Sequence, residues 1–301
     1  MPIETGIVIP DSHRPFHDER AWQLLLHFMA ETKPTHTCFI GDWGDFAGIS
    51  HHNTGRGKLQ NEQRLIDCIE SCRQGFDERE RANPKSKVSF CEGNHEAWLS
   101  QFMDKYPSLQ GFMNIERVLE MRERGIEFYS WYGQNKQRHP IRPAWGKLQL
   151  AHTTSAGSNH ATALARVESH SVVYGNSHDM QSASKVMKGE LTRRVWSCGH
   201  LVDVDSDAFR YLNGRAVNWA QGFVWVEWDT KDGTFHVDAI DIVDSSRFIW
   251  RGKRWEWKPS YKRYTGHSKI QGGLNGKGDI RERRSGAGTL ARRGETGRVG
   301  V

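Results

Sequence analysis

Short apolar runs that stop at a Gly, Asp, Asn or His recur through the first 180 residues, and they organise the reading of the chain. Residues 5–10 are one such run, ended by Pro10 and followed by Asp11-Ser12-His13. From Asp18 to Ala30 the apolar positions Ala21, Leu24, Leu25 and Phe28 fall at helical spacing, with Asp18 and Glu19 placed at the N-terminal end. Cys38-Phe39-Ile40 then runs into Gly41-Asp42, with Asp45 three positions on. A polar loop over 50–58 precedes a long charged helix whose stripe is Leu65, Ile69, Cys72 and Phe76, reaching Ala82 and stopped by Pro84. The next strand, 87–92, ends in Gly93-Asn94-His95-Glu96. Helices are predicted at 96–103 and 114–124, a short strand at 127–131, and a strand at 147–150 that leads to His152. Residues 161–168 read as a helix and 171–174 as a strand that ends in Gly175-Asn176-Ser177-His178.

Beyond this the period changes. Residues 223–229 and 235–243 alternate around the turn Lys231-Asp232-Gly233, which predicts an antiparallel hairpin, and 248–257 adds another around Arg251-Gly252-Lys253. Periodicity alone therefore gives an α/β chain with an antiparallel C-terminal part.

Composition changes that picture mainly at the end of the chain. With 301 residues and 37% hydrophobic content the chain can bury a sizeable core. The formal charge of +6 is uneven: residues 251–301 carry 14 Lys and Arg against 4 Asp and Glu, a net of +10, which leaves −4 for residues 1–250. After Tyr264 the chain is rich in Gly, Arg and Ser, so a flexible basic tail is expected from about residue 266. No apolar run of about 18 residues and no basic leader with a cleavage site is seen, so neither a membrane span nor a signal peptide is expected and a cytoplasmic location is. Cys38, Cys68, Cys72, Cys91 and Cys198 are expected to be buried thiols.

Five strand ends carry chemistry: Asp11 with His13, Asp42 with Asp45, Asn94 with His95, His152, and His178. Parallel pairing would bring all five to one edge of a sheet, where ligands of α/β proteins sit. A single His after a strand is usually a hydrogen-bonded or surface residue, and Asp-rich turns are common because Asp caps helices. Five in order mark a site. Carboxylate, imidazole and amide oxygens together suit Mn²⁺, Fe, Zn²⁺ or Ni²⁺, and two such ions sharing Asp42 could activate water against a phosphoryl group.

The order Asp-x-His, Gly-Asp-x-x-Asp, Gly-Asn-His-Glu, His and Gly-x-x-His resembles the calcineurin-like metallophosphoesterase superfamily over residues 5–180. Weaker motifs, Asn218-Trp219, Gly222-Phe223 and Arg251-Gly252-Lys253, resemble a phage and prophage branch of it. The resemblance implies a two-layered β-sandwich flanked by helices, a catalytic domain over 1–250 with its antiparallel hairpins from about residue 218, and a basic extension over 251–301. It implies one metal on Asp11, His13, Asp42 and His178, and a second on Asp42, Asn94 and His152. His95 would be the general acid, with Asn94 near the phosphate; Asp45 would orient a ligand or hold its loop, and Glu96 would act structurally.

One position departs from the pattern. The family's last motif has His where this chain has Asn176, which would be a weak ligand at best; His160, His170 and His200 are substitutes or ordinary structural residues. The reaction implied is hydrolysis of a phosphate ester by a metal-bridging hydroxide, in the host cytoplasm if phage-encoded, with Mn²⁺ as the favoured ion. A phosphodiester of a nucleotide or nucleic acid is favoured over a phosphomonoester, and a catalytically weakened nucleic-acid-binding member is the third reading. His51 and His52 either line a substrate cleft or sit in an exposed loop. The stretch with Lys136, Arg138, His139 and Arg142 either contacts a phosphate or is solvated. The tail, with Trp255, Trp257, Tyr261 and Tyr264 among Lys and Arg, either contacts DNA or RNA or is a sheet edge with a solvated end.

Overall fold

A computed structural model describes residues 2–50, 64–109, 111–130, 142–153, 157–186, 192–212 and 218–259. The chain divides into Met1–Ser268 and Lys269–Val301, and all described residues lie in the first unit. His51, His52, Lys136, Arg138, His139, Tyr261, Tyr264 and the tail from 266 lie outside the described residues.

The strands are β1 (Ile3–Ile9), β2 (His36–Phe39), β3 (Lys87–Cys91), β4 (Ile126–Tyr129), β5 (Ala144–Trp145), β6 (Leu148–His152) and β7 (Ser171–Gly175). They continue with β8 (Ser182–Lys185), β9 (Arg193–Ser197), β10 (Gly222–Asp229), β11 (Phe235–Asp241), β12 (Arg247–Trp250) and β13 (Lys253–Glu256). The α-helices are α1 (Glu19–Thr32), α2 (Leu65–Ala82), α3 (Asn94–Lys105), α4 (Ile115–Val118) and α5 (His160–Val167).

Two mixed sheets form. One has the order β11-β10-β1-β2-β3-β4, with β1 to β4 parallel and β10 antiparallel to β1; the other has the order β5-β6-β7-β9-β8, with β6, β7 and β9 parallel. Val8, Ile40 and Cys91 of the first meet Leu150 and Val173 of the second in a shared apolar core. On the outer face of the first sheet Ile9, Phe39 and Phe90 pack with Phe28 of α1 and Phe76 of α2; outside the second sheet, Val172 and Tyr174 pack with Leu164 of α5. The result is the helix-flanked two-sheet α/β architecture expected. Each large apolar side chain buried in this way contributes roughly 1.5–3 kcal/mol.

Three features depart from the sequence expectation. The five strand ends that carry the candidate ligands belong to two sheets: Asp11, Asp42 and Asn94 follow β1, β2 and β3, whereas His152 ends β6 and His178 follows β7. Strands β8 and β9 lie outside the sequence expectation, because Ser182-Ala-Ser-Lys185 has no apolar alternation and β9 begins with two Arg and buries only Val195 and Ser197. The helix expected over 114–124 is a single turn, α4, after which Glu120 takes φ +55° and the Met121 N–H reaches back to the Glu116 carbonyl. The hairpin expected around Arg251-Gly252-Lys253 forms as β12–β13 with its turn at Arg251-Gly252, and Phe248 and Trp255 lie inside the core against α1.

Candidate metal centre

Register explains why the ligand candidates converge. Ile9 pairs with Phe39 and Phe39 with Phe90, so the three parallel strands end level, and Asp11, Asp42 and Asn94 emerge two, three and four residues past that row. In the other sheet His152 pairs with Gly175, three residues before His178. The first two turns are then zipped together. The Ser12 and His13 N–H groups donate to the Asp42 carbonyl at 3.0 Å each, Arg14 N–H to Trp43 O at 2.9 Å, and Asp45 N–H to Arg14 O at 3.0 Å. Arg14 anchors the zipper: its buried guanidinium lies over the rings of both Trp22 and Trp43, 4.8 and 4.6 Å away, and 3.8 Å from Glu78. Backbone strain collects here, since His13 (φ +47°), Asp42 (+45°), Asn176 (+92°) and His178 (+60°) are all left-handed without being Gly.

Three imidazoles are held by one ring nitrogen and present the other. His13 Nδ1 donates to Asp45 Oδ1 at 3.0 Å, His95 Nδ1 to the Asp45 carbonyl at 2.6 Å, and His152 Nδ1 to the Ile40 carbonyl at 2.9 Å, because carboxylate and carbonyl oxygens only accept. Their Nε2 atoms converge on Asp42 Oδ2 at 3.8, 3.9 and 3.4 Å respectively. Asp42 Oδ1 is occupied separately by the His95 N–H at 2.9 Å, which leaves Oδ2 facing the cluster.

Asp11, His13, Asp42 and His178 each offer one donor atom within 4.8 Å of the others. His13 Nε2 and His178 Nε2 are 3.0 Å apart, His178 Nε2 is 3.2 Å from Asp11 Oδ2, and buried Asp11 Oδ1 has no hydrogen-bond partner. Two facing imidazole nitrogens beside an orphaned carboxylate oxygen call for a cation between them, so these residues fit a divalent ion. His152 Nε2 lies 3.1 Å from Asn94 Oδ1, which places an imidazole, an amide oxygen and the shared Asp42 Oδ2 together as a second donor set. His13, Asp45 and His95 also cluster, but their Nδ1 atoms are already satisfied by Asp45.

The remaining candidates fall as follows. Asn176 meets the site through its main chain, its N–H donating to Asp11 Oδ2 at 2.8 Å. His200 Nδ1 accepts from the Val202 N–H at 3.0 Å, which puts the ring proton on Nε2 and removes it as a replacement ligand. His160 is committed to Tyr174 Oη (2.7 Å) and Asp179 Oδ2 (2.8 Å), and His170 pairs with Ser169. Arg142, offered as a phosphate contact, forms a two-pronged ion pair with Glu168 at 2.9 and 3.1 Å. Trp255 is buried and cannot stack on nucleic acid. Glu96 accepts the N–H groups of Asp42, Gly93 and Gly44 at 2.9, 3.0 and 3.0 Å, the structural role expected of it.

Burial and charge oppose each other in this cluster. Desolvation pulls His13 and His152 down, but the Asp45 hydrogen bond and the charges of Asp42, Asp45 and Asp11 carry His13 up to about 9, and chiefly Asp42 carries His152 to about 10. Burial raises Asp42, and the charges of His152, His95 and His13 overcome it and hold it well below its ordinary value. Both imidazoles are therefore charged near neutral pH in the metal-free protein, and an ion must displace their Nε2 protons. Titration with Mn²⁺ at pH 7 is expected to release about two protons, read calorimetrically in buffers of different ionisation enthalpy. Heats independent of the buffer would contradict this. With folded values raised from 6.5 to about 9 and about 10, the metal-free protein gains stability below pH 6.5 and loses it as pH climbs through those values.

The Asp45 contact to His13 fixes a ring orientation at one remove from the ion. Asp45→Ala is expected to weaken metal affinity roughly 10- to 100-fold, measured by chelator competition.

No family model matches the chain. It is 24% identical over 265 residues to the Gene 54 protein of Mycobacterium phage L5, covering 83% of this chain and 98% of that one, and matches the phage D29 Gene 54 protein at the same identity and coverage. Among solved structures it is similar to Vps29 from Chaetomium thermophilum (10% identity, TM-score 0.37, 86% of this chain and 98% of that one). It is also similar to a metallophosphoesterase from Sphaerobacter thermophilus (12% identity, TM-score 0.33, 78% and 88%). Among the described residues no helix is long and apolar enough to cross a membrane.

Proposed function

We propose that this chain is a phage-type member of the calcineurin-like metallophosphoesterases that hydrolyses a phosphodiester in a nucleotide or nucleic acid. The observation that carries the reading is the convergence of three tethered imidazoles on Asp42 Oδ2. Asp11, His13, Asp42 and His178 would hold one ion, and Asp42, Asn94 and His152 the other, with Asn176 a weak contributor at most. Bound there, a pair of ions such as Mn²⁺ supplies an activated water and neutralises charge on the phosphoryl group.

The chain's own groups do the rest. Asp11 and Asp42 give the site the negative charge that two cations require. His95 carries one proton on Nδ1, pinned by the Asp45 carbonyl, and burial lowers the ring below its ordinary value, so to act as an acid it would first take up a second proton from water, on Nε2, the atom facing the site. That proton would pass to the leaving oxygen as its ester bond breaks. Trp98, with its ring centroid 3.9 Å from that of His95, holds the imidazole from the side. The net charge of +10 over residues 251–301 favours a polyanionic substrate.

The test is a panel of mono- and diesters, cyclic nucleotides and single- and double-stranded DNA, assayed with Mn²⁺, Ni²⁺, Zn²⁺ and Mg²⁺ added to metal-free protein. Bis(p-nitrophenyl) phosphate is expected to be cleaved faster than p-nitrophenyl phosphate, and His95→Asn to lower kcat about 10²- to 10⁴-fold. Preference for the monoester would move the assignment to a phosphomonoesterase. Activity unchanged in both His95→Asn and Asp42→Asn would end the catalytic reading.

A further inference from the structure

We propose that Trp219 is a stacking platform for a nucleobase of the substrate, so that the site distinguishes nucleotide esters from base-free phosphate esters. This rests on the phosphoesterase reading above and extends it to the substrate's class.

The indole of Trp219 meets the ring of His178 at 4.3 Å between centroids and 86° between planes. It therefore borders the donor set that Asp11, His13 and Asp42 complete. Its position is set by main chain on the C-terminal side: the Ala220 N–H donates to the His178 carbonyl at 2.9 Å, and the His200 N–H to the Ala220 carbonyl at 3.1 Å. Phe209 continues the same wall, 5.6 Å from Trp219 and 5.9 Å from His13.

This indole stands outside the apolar cores of the described residues. Trp219 belongs to none of the three apolar cores, whereas Trp98, the other indole beside the site, is packed against one. It is half-buried. Among the described residues its ring neighbours His178, Phe209 and His200 meet it at 86°, 80° and 58°, and none lies parallel to it. A partly exposed indole, anchored through Ala220 and with no ring of the described residues parallel to it, suits a flat heteroaromatic ring arriving with the phosphate. Base stacking on an aromatic side chain tolerates any base, so this contact would select for a nucleotide without selecting a sequence.

Equilibrium binding to the Mn²⁺-loaded full chain separates the contributions without turnover. Thymidine 5′-monophosphate, deoxyribose 5-phosphate, O-phosphotyrosine and inorganic phosphate are titrated into wild type, Trp219→Ala and Trp219→Phe. Wild type is expected to favour the nucleotide over deoxyribose 5-phosphate by about tenfold or more, Trp219→Ala to bring that ratio near one, and Trp219→Phe to keep most of it. A wild-type ratio of one, or an equal weakening of both ligands in Trp219→Ala, overturns the inference and leaves the phosphoesterase reading standing. Phosphotyrosine binding tighter than the nucleotide overturns it in favour of a phosphopeptide. If no phosphate ligand binds the metal-loaded protein, the phosphoesterase reading fails as well.

Discussion

Metal titration of Asp42→Ala is expected to show the weaker of two binding events disappearing first, whereas His178→Ala chiefly weakens the tighter one. The asymmetry comes from the donors. One set has two carboxylates and two imidazoles, Asp11, Asp42, His13 and His178; the other has His152 and the Asn94 amide beside the shared Asp42. An amide oxygen is a poorer donor to a transition ion than an imidazole, and Asn176 approaches through its main chain. Asp42 is then the sole carboxylate of the second set, so its loss removes a larger share of what retains that ion. Wild type should titrate with one tight and one labile event, and activity in Asp42→Ala should fall beyond the roughly 10- to 100-fold that loss of an outer partner costs. Two equally tight events in wild type, or His178→Ala emptying the labile site first, would contradict the assignment.

Strand ends were legible because each is written locally. Ile7 to Ile9, Phe39-Ile40 and Val172 to Tyr174 are short apolar runs that stop at residues able to turn and to ligate, and in the structure each run is buried. What sequence could not supply was which strands pair. Nothing between β3 and β6 marks the change of sheet, so one edge was expected where the edges of two sheets supply the donors. The edge strand β8 carries Ser and Lys because half of it faces water, and it lacks the alternation that identifies a strand. Helix α4 failed for the opposite reason. Ile115, Leu119 and Met121 are all buried, so their spacing looks helical, but a turn at Glu120 brings them into the core after a single helical turn.

Within the site, the side chains that could touch an ion were readable and the ones that hold them mostly were not. Asp45 was visible because it shares a turn with Asp42. Arg14 is beside His13 in the sequence, yet only the structure shows it packed over both Trp22 and Trp43, from separate segments. The carbonyls that set the tautomers of His95 and His152, those of Asp45 and Ile40, belong to main chain and leave no signature in residue type. Trp219 lies 41 positions past His178 in the chain, too far for spacing to connect them.

Glu96→Ala is expected to be among the most destabilising single changes near the site, although Glu96 is no ligand. Its Oε2 accepts from the N–H groups of Asp42 and Gly93, and its Oε1 from that of Gly44, so one carboxylate ties the Asp42 turn to the start of α3. Burial and the Asp42 charge push Glu96 up to about 8, while the Gly44 and Gly93 N–H groups favour its ionised form. The turn and the start of α3 are close-packed here: a Cβ on Gly93 would lie 2.2 Å from Asp42 Oδ1 and 2.8 Å from Glu96 Oε2. Truncation strands three buried donors, each worth about 1–3 kcal/mol when unsatisfied, so a loss of at least about 3 kcal/mol is expected in urea unfolding of the metal-free protein. Glu96→Gln should fall between wild type and Glu96→Ala, because its amide oxygen can keep the Asp42 and Gly93 N–H groups while its NH₂ confronts that of Gly44. Stability near wild type in Glu96→Ala would mean that the Asp42 turn holds its left-handed shape without this carboxylate.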